Sequence, residues 1–129
     1  AETLCDAYCG ADAFAFLSQE ETEGIVVLEA LACGTPTLVR DIPVFADWLQ
    51  DGVSVYKARE LDDFEHTLQK MLAGTLPPLT EGGHAVADAR SLRAVGQKLC
   101  SIYEDAGFLK EAMQPIAARH PLHIRPRMT

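Results

Sequence analysis

The sequence has few basic residues, and none of them precedes Arg40. Lys and Arg total 11 against 19 Asp and Glu, which gives a formal net charge of −8. A nucleic-acid-binding surface requires a basic patch, so this class of partner is excluded. An anionic ligand must therefore be bound by local backbone geometry rather than by a positively charged surface.

Long apolar runs are also absent from the sequence. The longest run is interrupted by Glu29, and it falls well short of the roughly 20 residues that a membrane-spanning helix requires. The N-terminus does not have the pattern of a signal peptide. We therefore expect the protein to lie in the cytoplasm, where thiols stay reduced.

The cysteines lack the paired spacing that is typical of zinc sites. Cys5 and Cys9, four residues apart, fall on the same face if their segment is helical. We interpret all four cysteines, Cys5, Cys9, Cys33 and Cys100, as small buried hydrophobes. We expect no metal site and no cofactor.

Two glutamates, Glu21 and Glu29, flank a glycine that opens an apolar helix. Gly24 permits close backbone approach, and a helix amino-terminus presents unpaired amides and a positive dipole end, which favours a phosphate group. Taken alone, two glutamates at this spacing more often lie on a solvated face of an acidic chain. However, Glu29 interrupts an apolar run, so we expect its carboxylate to be buried and to need a partner.

The two carboxylates suggest which groups are attached to the phosphate. Carboxylates only accept hydrogen bonds, so they pair well with the vicinal hydroxyls of a ribose or a hexose. Glu21 precedes the helix and Glu29 lies about one turn inside it, so they would face different parts of one ligand. The pattern indicates a nucleotide sugar.

Helical and strand patterns alternate along the chain, which predicts an α/β fold with a partial Rossmann-like parallel sheet and flanking helices. The chain has enough apolar residues, 48%, for one domain with a core. In such a sheet, ligands bind beyond the carboxyl ends of the strands. The predicted helices are 2–10, 24–33, 44–50, 60–73 and 84–106, the predicted strands are 13–17, 37–39 and 53–56, and 74–83 is predicted to be a loop.

The segment from Glu21 to Glu29, followed by Ala-Leu-Ala-Cys-Gly-Thr-Pro at 30–36, resembles the Glu-x7-Glu motif of the retaining family-4 glycosyltransferases. In that family the motif lies in the second, donor-binding domain of the GT-B architecture. The segments 20–31 and 40–45 are similar to those of bacterial diacylglycerol alpha-glucosyltransferases. The resemblance covers roughly residues 3–110.

The resemblance implies roles for individual residues. Glu21 would be the catalytic-site carboxylate, contacting hydroxyls of the transferred sugar beside the reacting centre without acting as a nucleophile. Glu29 would hold the ribose diol. The stretch that is usually Gly-Phe-Gly in the family is Thr-Glu-Gly here, so backbone roles are kept while a side-chain role of Glu23 is not implied. The substrate-binding residues implied by the resemblance are Glu21, Thr22, Glu23, Gly24, Ile25, Val26 and Glu29.

The resemblance also implies that this chain is a fragment. We expect residues 1–110 to form the nucleotide-sugar-binding domain, truncated on its N-terminal side, and residues 111–129 to form a flexible basic tail. The partners implied are a UDP-sugar donor and a lipid or sugar acceptor, the latter bound by the missing domain. The full-length enzyme would transfer a hexosyl group, with glucose favoured, at the inner face of the membrane, and the fragment alone would be inactive.

Truncation has a physical consequence for the first strand, because its outer edge would be open. An open apolar edge invites pairing with a second copy. We therefore expect either self-association through this sheet edge or an altered packing of the first helix.

Two other functions remain open at this point. One is a non-enzymatic nucleotide-sugar-binding domain, and the other is a flavodoxin-like regulatory domain with Asp12 and Asp41 as a sparse acidic cluster. Arg40 and Asp41 follow a predicted strand, where they would either reach a nucleotide base or a neighbouring loop, or form a structural ion pair.

Overall fold

The computed structural model of the protein describes residues 2–106. The predicted tail at 111–129 lies outside the described residues. The described chain divides into two units between Ser91 and Leu92. The helices are α1 Glu2–Cys9, α2 Ile25–Ala32, α3 Leu61–Leu72, α4 Thr80–Ala89 and α5 Leu92–Asp105; the strands are β1 Phe14–Phe16, β2 Thr37–Arg40 and β3 Tyr56–Ala58; a 3₁₀ turn spans Pro43–Phe45.

The first unit is built on a parallel sheet of three strands in the order β1-β2-β3. Phe16 pairs with Val39, and Arg40 pairs with Ala58. Because the strands are parallel, their carboxyl ends meet at one edge of the sheet, where the loops leading into the following elements begin. The α/β fold with a parallel sheet is confirmed.

Helices pack on both faces of the sheet. Neighbouring residues of a strand point to opposite faces, so one strand contributes apolar side chains to two separate clusters. Val39 packs with Val27 and Phe45 in one buried cluster, which also contains Leu31 from α2. Leu38 belongs to a second cluster with Phe64 of α3. A fully buried side chain of this size contributes about 1.5–3 kcal/mol, so the two clusters fix α2 and α3 on their respective faces.

Helix α2 ends where the sequence predicts. Gly34 has a left-handed backbone with φ 76°. Its amide donates to the Leu31 carbonyl at 3.0 Å, and the Thr35 amide donates to the Ala30 carbonyl at 3.0 Å. This pair of bonds is a Schellman motif, which satisfies the last carbonyls of the helix and turns the chain into β2.

Several predicted boundaries are wrong. The third strand, predicted at 53–56, begins only at Tyr56, because the preceding residues form a turn closed by the Gly52 amide on the Val55 carbonyl at 2.9 Å. The segment predicted as a helix at 44–50 has only the 3₁₀ turn Pro43–Phe45, followed by further turns.

The region after α3 also differs from the prediction. Part of the predicted loop at 74–83 belongs to α4, and the predicted helix at 84–106 is interrupted between α4 and α5. Glycines allow α4 to pack closely against the rest of the first unit: a Cβ on Gly82 would lie 2.0 Å from the Val53 carbonyl oxygen, and one on Gly83 would lie 2.9 Å from a Leu31 methyl.

The second unit, as far as it is described, consists of helix α5. Its large apolar side chains are exposed: Leu92, Val95, Leu99, Ile102 and Tyr103.

Candidate functional site

The loop between β1 and α2 leaves the carboxyl edge of the sheet and ends at Gly24. This glycine has φ 72° and ψ 38°, a left-handed conformation that L side chains rarely adopt. A Cβ at this position would lie 2.6 Å from Cε1 of Phe45, whose ring is fully buried. Both the backbone angle and the close approach therefore require glycine where helix α2 begins.

The amino end of α2 presents backbone donors. In an α-helix the first four amides have no intrahelical partner. Here Val27 and Leu28 donate to the Gly24 carbonyl at 3.0 and 3.3 Å, which leaves Ile25 and Val26 as the outermost amides of the described helix. The side chains of these two residues are exposed. Together with the positive end of the helix dipole, this is a geometry that binds anions such as phosphate.

Glu21 lies just before this helix start and folds back onto its own turn. Its Oε1 accepts hydrogen bonds from the Thr22 amide at 2.8 Å and the Glu23 amide at 3.4 Å, and from the Thr22 hydroxyl at 3.3 Å. The hydrogen bonds from the Thr22 and Glu23 amides hold the pKa of this carboxyl below its ordinary value, so it is ionised at neutral pH. Thr22 and Glu23 are themselves exposed.

Glu21 lines an open concavity of about 340 Å³. The other residues that line it are Gln19, Glu20, Ile42, Pro43 and Val44. Its walls therefore come from two loops, those that follow β1 and β2, at the carboxyl edge of the sheet. Glu21 is only partly buried, so it lies at the surface of this edge.

Glu29 is half-buried, one turn inside α2, and has the partner that the apolar run requires. The Tyr8 hydroxyl of α1 donates to its Oε2 at 3.2 Å. Burial, and then this hydrogen bond, raise the pKa of the Tyr8 hydroxyl above its ordinary value, so it remains a donor at neutral pH. The sequence predicts that a partner exists but does not identify Tyr8, because nothing in its spacing marks a contact between the two helices.

Glu29 and Tyr8 line a concavity of about 280 Å³ between α1 and α2, whose other lining residues are Leu4, Cys5, Ala32 and Cys33. This concavity shares no lining residue with the one that contains Glu21. The amino end of α2 lies between the two glutamates in the sequence. The arrangement therefore provides two acceptor carboxylates in separate concavities, with anion-binding amides between them along the chain.

Arg40, at the end of β2, ties the carboxyl ends of the sheet together. Its Nε donates to the Leu17 carbonyl at 3.1 Å, beyond β1, and its Nη1 donates to the Arg59 carbonyl, beyond β3. The guanidinium carbon lies 5.3 Å from the centroid of the Phe64 ring. Through these contacts Arg40 reaches the neighbouring loops, which is one of the roles considered for it.

Asp41 has a structural role as well. Arg59 Nη2 lies 2.9 Å from its Oδ2, and Lys57 Nζ lies 3.6 Å from its Oδ1. The hydrogen bond from Arg59, with the charge of Lys57, holds the pKa of this carboxyl below its ordinary value. Asp41 is thus engaged in ion pairs at the edge of the sheet, while Asp12 is exposed on the loop before β1.

The interpretation of the cysteines as buried hydrophobes is wrong. Cys5, Cys9 and Cys100 are exposed, and Cys33 is only partly buried. The first two lie on one face of α1 as predicted, and this face meets the end of α2.

None of the helices in residues 2–106 combines the length and apolar character needed to cross a membrane.

Comparison with known proteins assigns the family. Residues 2–80 match the family model described as "Glycosyl transferases group 1". The chain is 40% identical over 99 residues to the processive diacylglycerol alpha-glucosyltransferase of Acholeplasma laidlawii. The aligned region makes up 77% of this chain and 30% of that enzyme. It is 29% identical over 122 residues to the D-inositol 3-phosphate glycosyltransferase of Mycolicibacterium smegmatis. This aligned region makes up 93% of this chain and 27% of that enzyme.

The chain therefore spans less than a third of the length of these relatives. The matched residues 2–80 contain the Glu21–Glu29 motif, the helix that opens at Gly24 and the whole parallel sheet. The resemblance found in the sequence is thus confirmed at the level of the family. This chain belongs to the group 1 glycosyl transferases.

Proposed function

We propose that this chain is the donor-binding part of a retaining family-4 hexosyltransferase, which transfers a glucosyl group from a UDP-sugar to a glycerolipid. One observation carries the proposal: the left-handed turn at Gly24 opens a helix whose outermost amides, on Ile25 and Val26, lie beyond the carboxyl edge of a parallel sheet. The similarity to a diacylglycerol alpha-glucosyltransferase supports glucose as the sugar and a lipid as the acceptor.

The amides of Gly24, Ile25 and Val26 would bind the diphosphate. As the glycosidic bond of the donor lengthens, negative charge develops on the leaving diphosphate. Backbone donors that are already oriented stabilise such charge without reorganisation, and one such interaction is worth roughly 2.7–4 kcal/mol in other enzymes. In this role the helix start contributes more to the transition state than to ground-state binding.

Glu29 would accept hydrogen bonds from the ribose hydroxyls. Its concavity between α1 and α2 is partly apolar, with Leu4 and Ala32 in its walls. The Tyr8 hydroxyl occupies one acceptor position of Oε2 at 3.2 Å and fixes the orientation of the carboxylate. The remaining lone pairs of the two oxygens suit a vicinal diol.

Glu21 would accept hydrogen bonds from the transferred sugar. Its Oε1 is held by the turn amides of Thr22 and Glu23, and a carboxylate has further acceptor positions for a ligand. Thr22 and Glu23 would contribute backbone shape rather than side-chain contacts. A nucleotide sugar that extends across the helix start would reach from the Glu29 concavity to the Glu21 concavity. Glu21 would orient the sugar beside the reacting centre, with the acceptor attacking from the same face as the departing diphosphate.

The acceptor-binding site and the rest of the active site would be formed by parts of the protein that correspond to the unmatched regions of its relatives. We propose that residues 1–110 act as the nucleotide-sugar domain and that the complete enzyme works at the membrane surface, where a lipid acceptor is available. This chain alone would bind the donor without transferring the sugar.

Turnover of UDP-[14C]glucose onto diacylglycerol vesicles by the full-length protein tests the proposal. Glu29→Gln and Glu21→Gln keep the size of each side chain and weaken its acceptor strength, and each should lower kcat/KM by at least tenfold. Glu65→Gln, on the exposed surface of α3, is the matched control and should retain full activity. Full activity in both test variants would overturn the proposed roles, and UDP binding without any transfer would favour a non-enzymatic binding domain.

A further inference from the structure

Three cysteine side chains converge where α1 meets the end of α2. Cys5 and Cys9 are one turn apart on α1, and Cys33 is the C-terminal cap of α2. The Sγ of Cys5 lies 3.9 Å from that of Cys9 and 3.7 Å from that of Cys33. All three sulfur atoms lie within 4.8 Å of one another.

Ordinary core packing does not account for this cluster. Small hydrophobic cysteines are buried, whereas Cys5 and Cys9 are exposed. No disulfide is formed within the cluster, because that bond would place two sulfur atoms about 2.05 Å apart and the thiols here are free. A thiol is also a weak hydrogen-bond donor, so contacts among thiols contribute little.

The distances fit a shared metal ion. Zinc binds thiolate sulfur at about 2.3 Å in tetrahedral geometry, which places two ligand sulfur atoms about 3.8 Å apart. The two shortest separations in the cluster, 3.7 and 3.9 Å, lie on either side of that value. The three cysteines come from α1 and from the end of α2. These two segments already contact each other through the hydrogen bond from Thr35 Oγ1 to the Tyr8 carbonyl at 2.7 Å.

We propose that Cys5, Cys9 and Cys33 form a three-thiolate site for Zn²⁺, or for a similar thiophilic divalent ion, with a water molecule in the fourth position. On binding, each S–H bond breaks as a metal–sulfur bond forms, and the proton passes to the solvent, so no oxidant or reductant is needed. The exposure of Cys5 and Cys9 leaves a path for the ion to enter and room for the water ligand.

The position of the site gives it a consequence for the neighbouring concavity. Cys5 and Cys33 line the same concavity as Tyr8 and Glu29. A metal ion that links α1 to the end of α2 would fix the two walls of this concavity relative to each other. The site stands on the sulfur geometry and does not depend on the proposed transferase function.

Cobalt titration tests the site directly, because thiolate-bound Co²⁺ has charge-transfer and tetrahedral d–d absorption bands. The purified, fully reduced chain should bind one Co²⁺ with these bands, and one equivalent of Zn²⁺ should displace it. Competition with a chromophoric chelator then gives the zinc affinity. Cys5→Ser and Cys9→Ser should each lower this affinity by more than 100-fold, since even the loss of a second-shell partner costs about 10–100-fold.

Cys100→Ser is the matched control, because this exposed cysteine lies on α5 and outside the cluster. It should bind Zn²⁺ as the unsubstituted chain does. The two α1 variants change exposed side chains, and far-UV circular dichroism should confirm that they remain folded. The absence of thiolate bands at stoichiometric Co²⁺, or bands that persist unchanged in both α1 variants, would overturn the proposal.

Discussion

Replacing Gly24 by alanine tests how the start of α2 is built. The substitution places an L side chain at φ 72°, which costs about 1–2 kcal/mol. It also brings a Cβ within 2.6 Å of Cε1 and 3.1 Å of Cζ of Phe45. Relieving such a contact in a packed core costs about 1–3 kcal/mol, so the free energy of unfolding should fall by about 2–5 kcal/mol.

The Phe45 ring has little room to move aside. It is fully buried, and its centroid lies 6.0 Å from that of Phe16 and 5.5 Å from that of Trp48, both edge-on. The new methyl group would also lie 3.6 Å from Cζ2 of Trp48. The clash must therefore displace the helix start or repack the aromatic cluster.

Gly52→Ala is the matched control, since Gly52 has φ 70° but no atom within 4 Å of the position that the new methyl group would take. It should lose only the backbone contribution, about 1–2 kcal/mol. Urea unfolding followed by far-UV circular dichroism and by the fluorescence of Trp48, the single tryptophan, measures both variants. Equal losses for Gly24→Ala and Gly52→Ala would refute the argument that Phe45 restricts this position.

Two further predictions follow from the ion pairs and from the sheet edge. The pKa of Asp41 lies below its ordinary value of 3.8, so the unfolded chain takes up this proton first as the pH falls. The ion pairs of Asp41 therefore stabilise the fold above pH ~4, and this stabilisation is lost below it. Asp41→Asn should flatten the dependence of the free energy of unfolding on acid pH in urea unfolding, and an unchanged pH dependence would contradict this prediction. Within the described sheet, β1 pairs only with β2, so we expect self-association that depends on concentration and is measurable by sedimentation velocity. Ala15→Pro should weaken this self-association. A monomer at all concentrations would exclude pairing through the edge of β1.

The alternation of helix and strand was predictable because it rests on local signals. The apolar pattern of α2, the glycine that ends it and the amphipathic pattern of α3 depend on residues close in sequence. These elements lie within one or two residues of their predicted positions. The α/β fold followed from their order.

The region around α4 was not predictable because its glycines act through tertiary contacts. In isolation, Gly82 and Gly83 favour a loop. In the fold they are needed because the Val53 carbonyl and Leu31 approach the helix too closely for a side chain. The error at β3 has a similar origin, since the turn at Gly52 delays the strand until Tyr56.

The candidate site was predictable in part. The anion-binding helix start and the need of Glu29 for a partner follow from residue type and spacing, whereas the identity of that partner, Tyr8, depends on how α1 packs on α2. The cysteine cluster was missed for the same reason. Cys33 is 28 residues from Cys5 in the sequence, a spacing that carries no local signal of a shared site.

An NMR titration of the ¹⁵N-labelled chain with UDP tests the central claim most directly, because it reports on each backbone amide separately. The account predicts saturable shifts that are largest at the amides of Gly24, Ile25 and Val26, with weaker binding in Glu29→Gln. Saturating UDP that leaves these three amides unshifted, or that shifts amides elsewhere in the chain instead, would contradict the placement of the diphosphate at the start of α2.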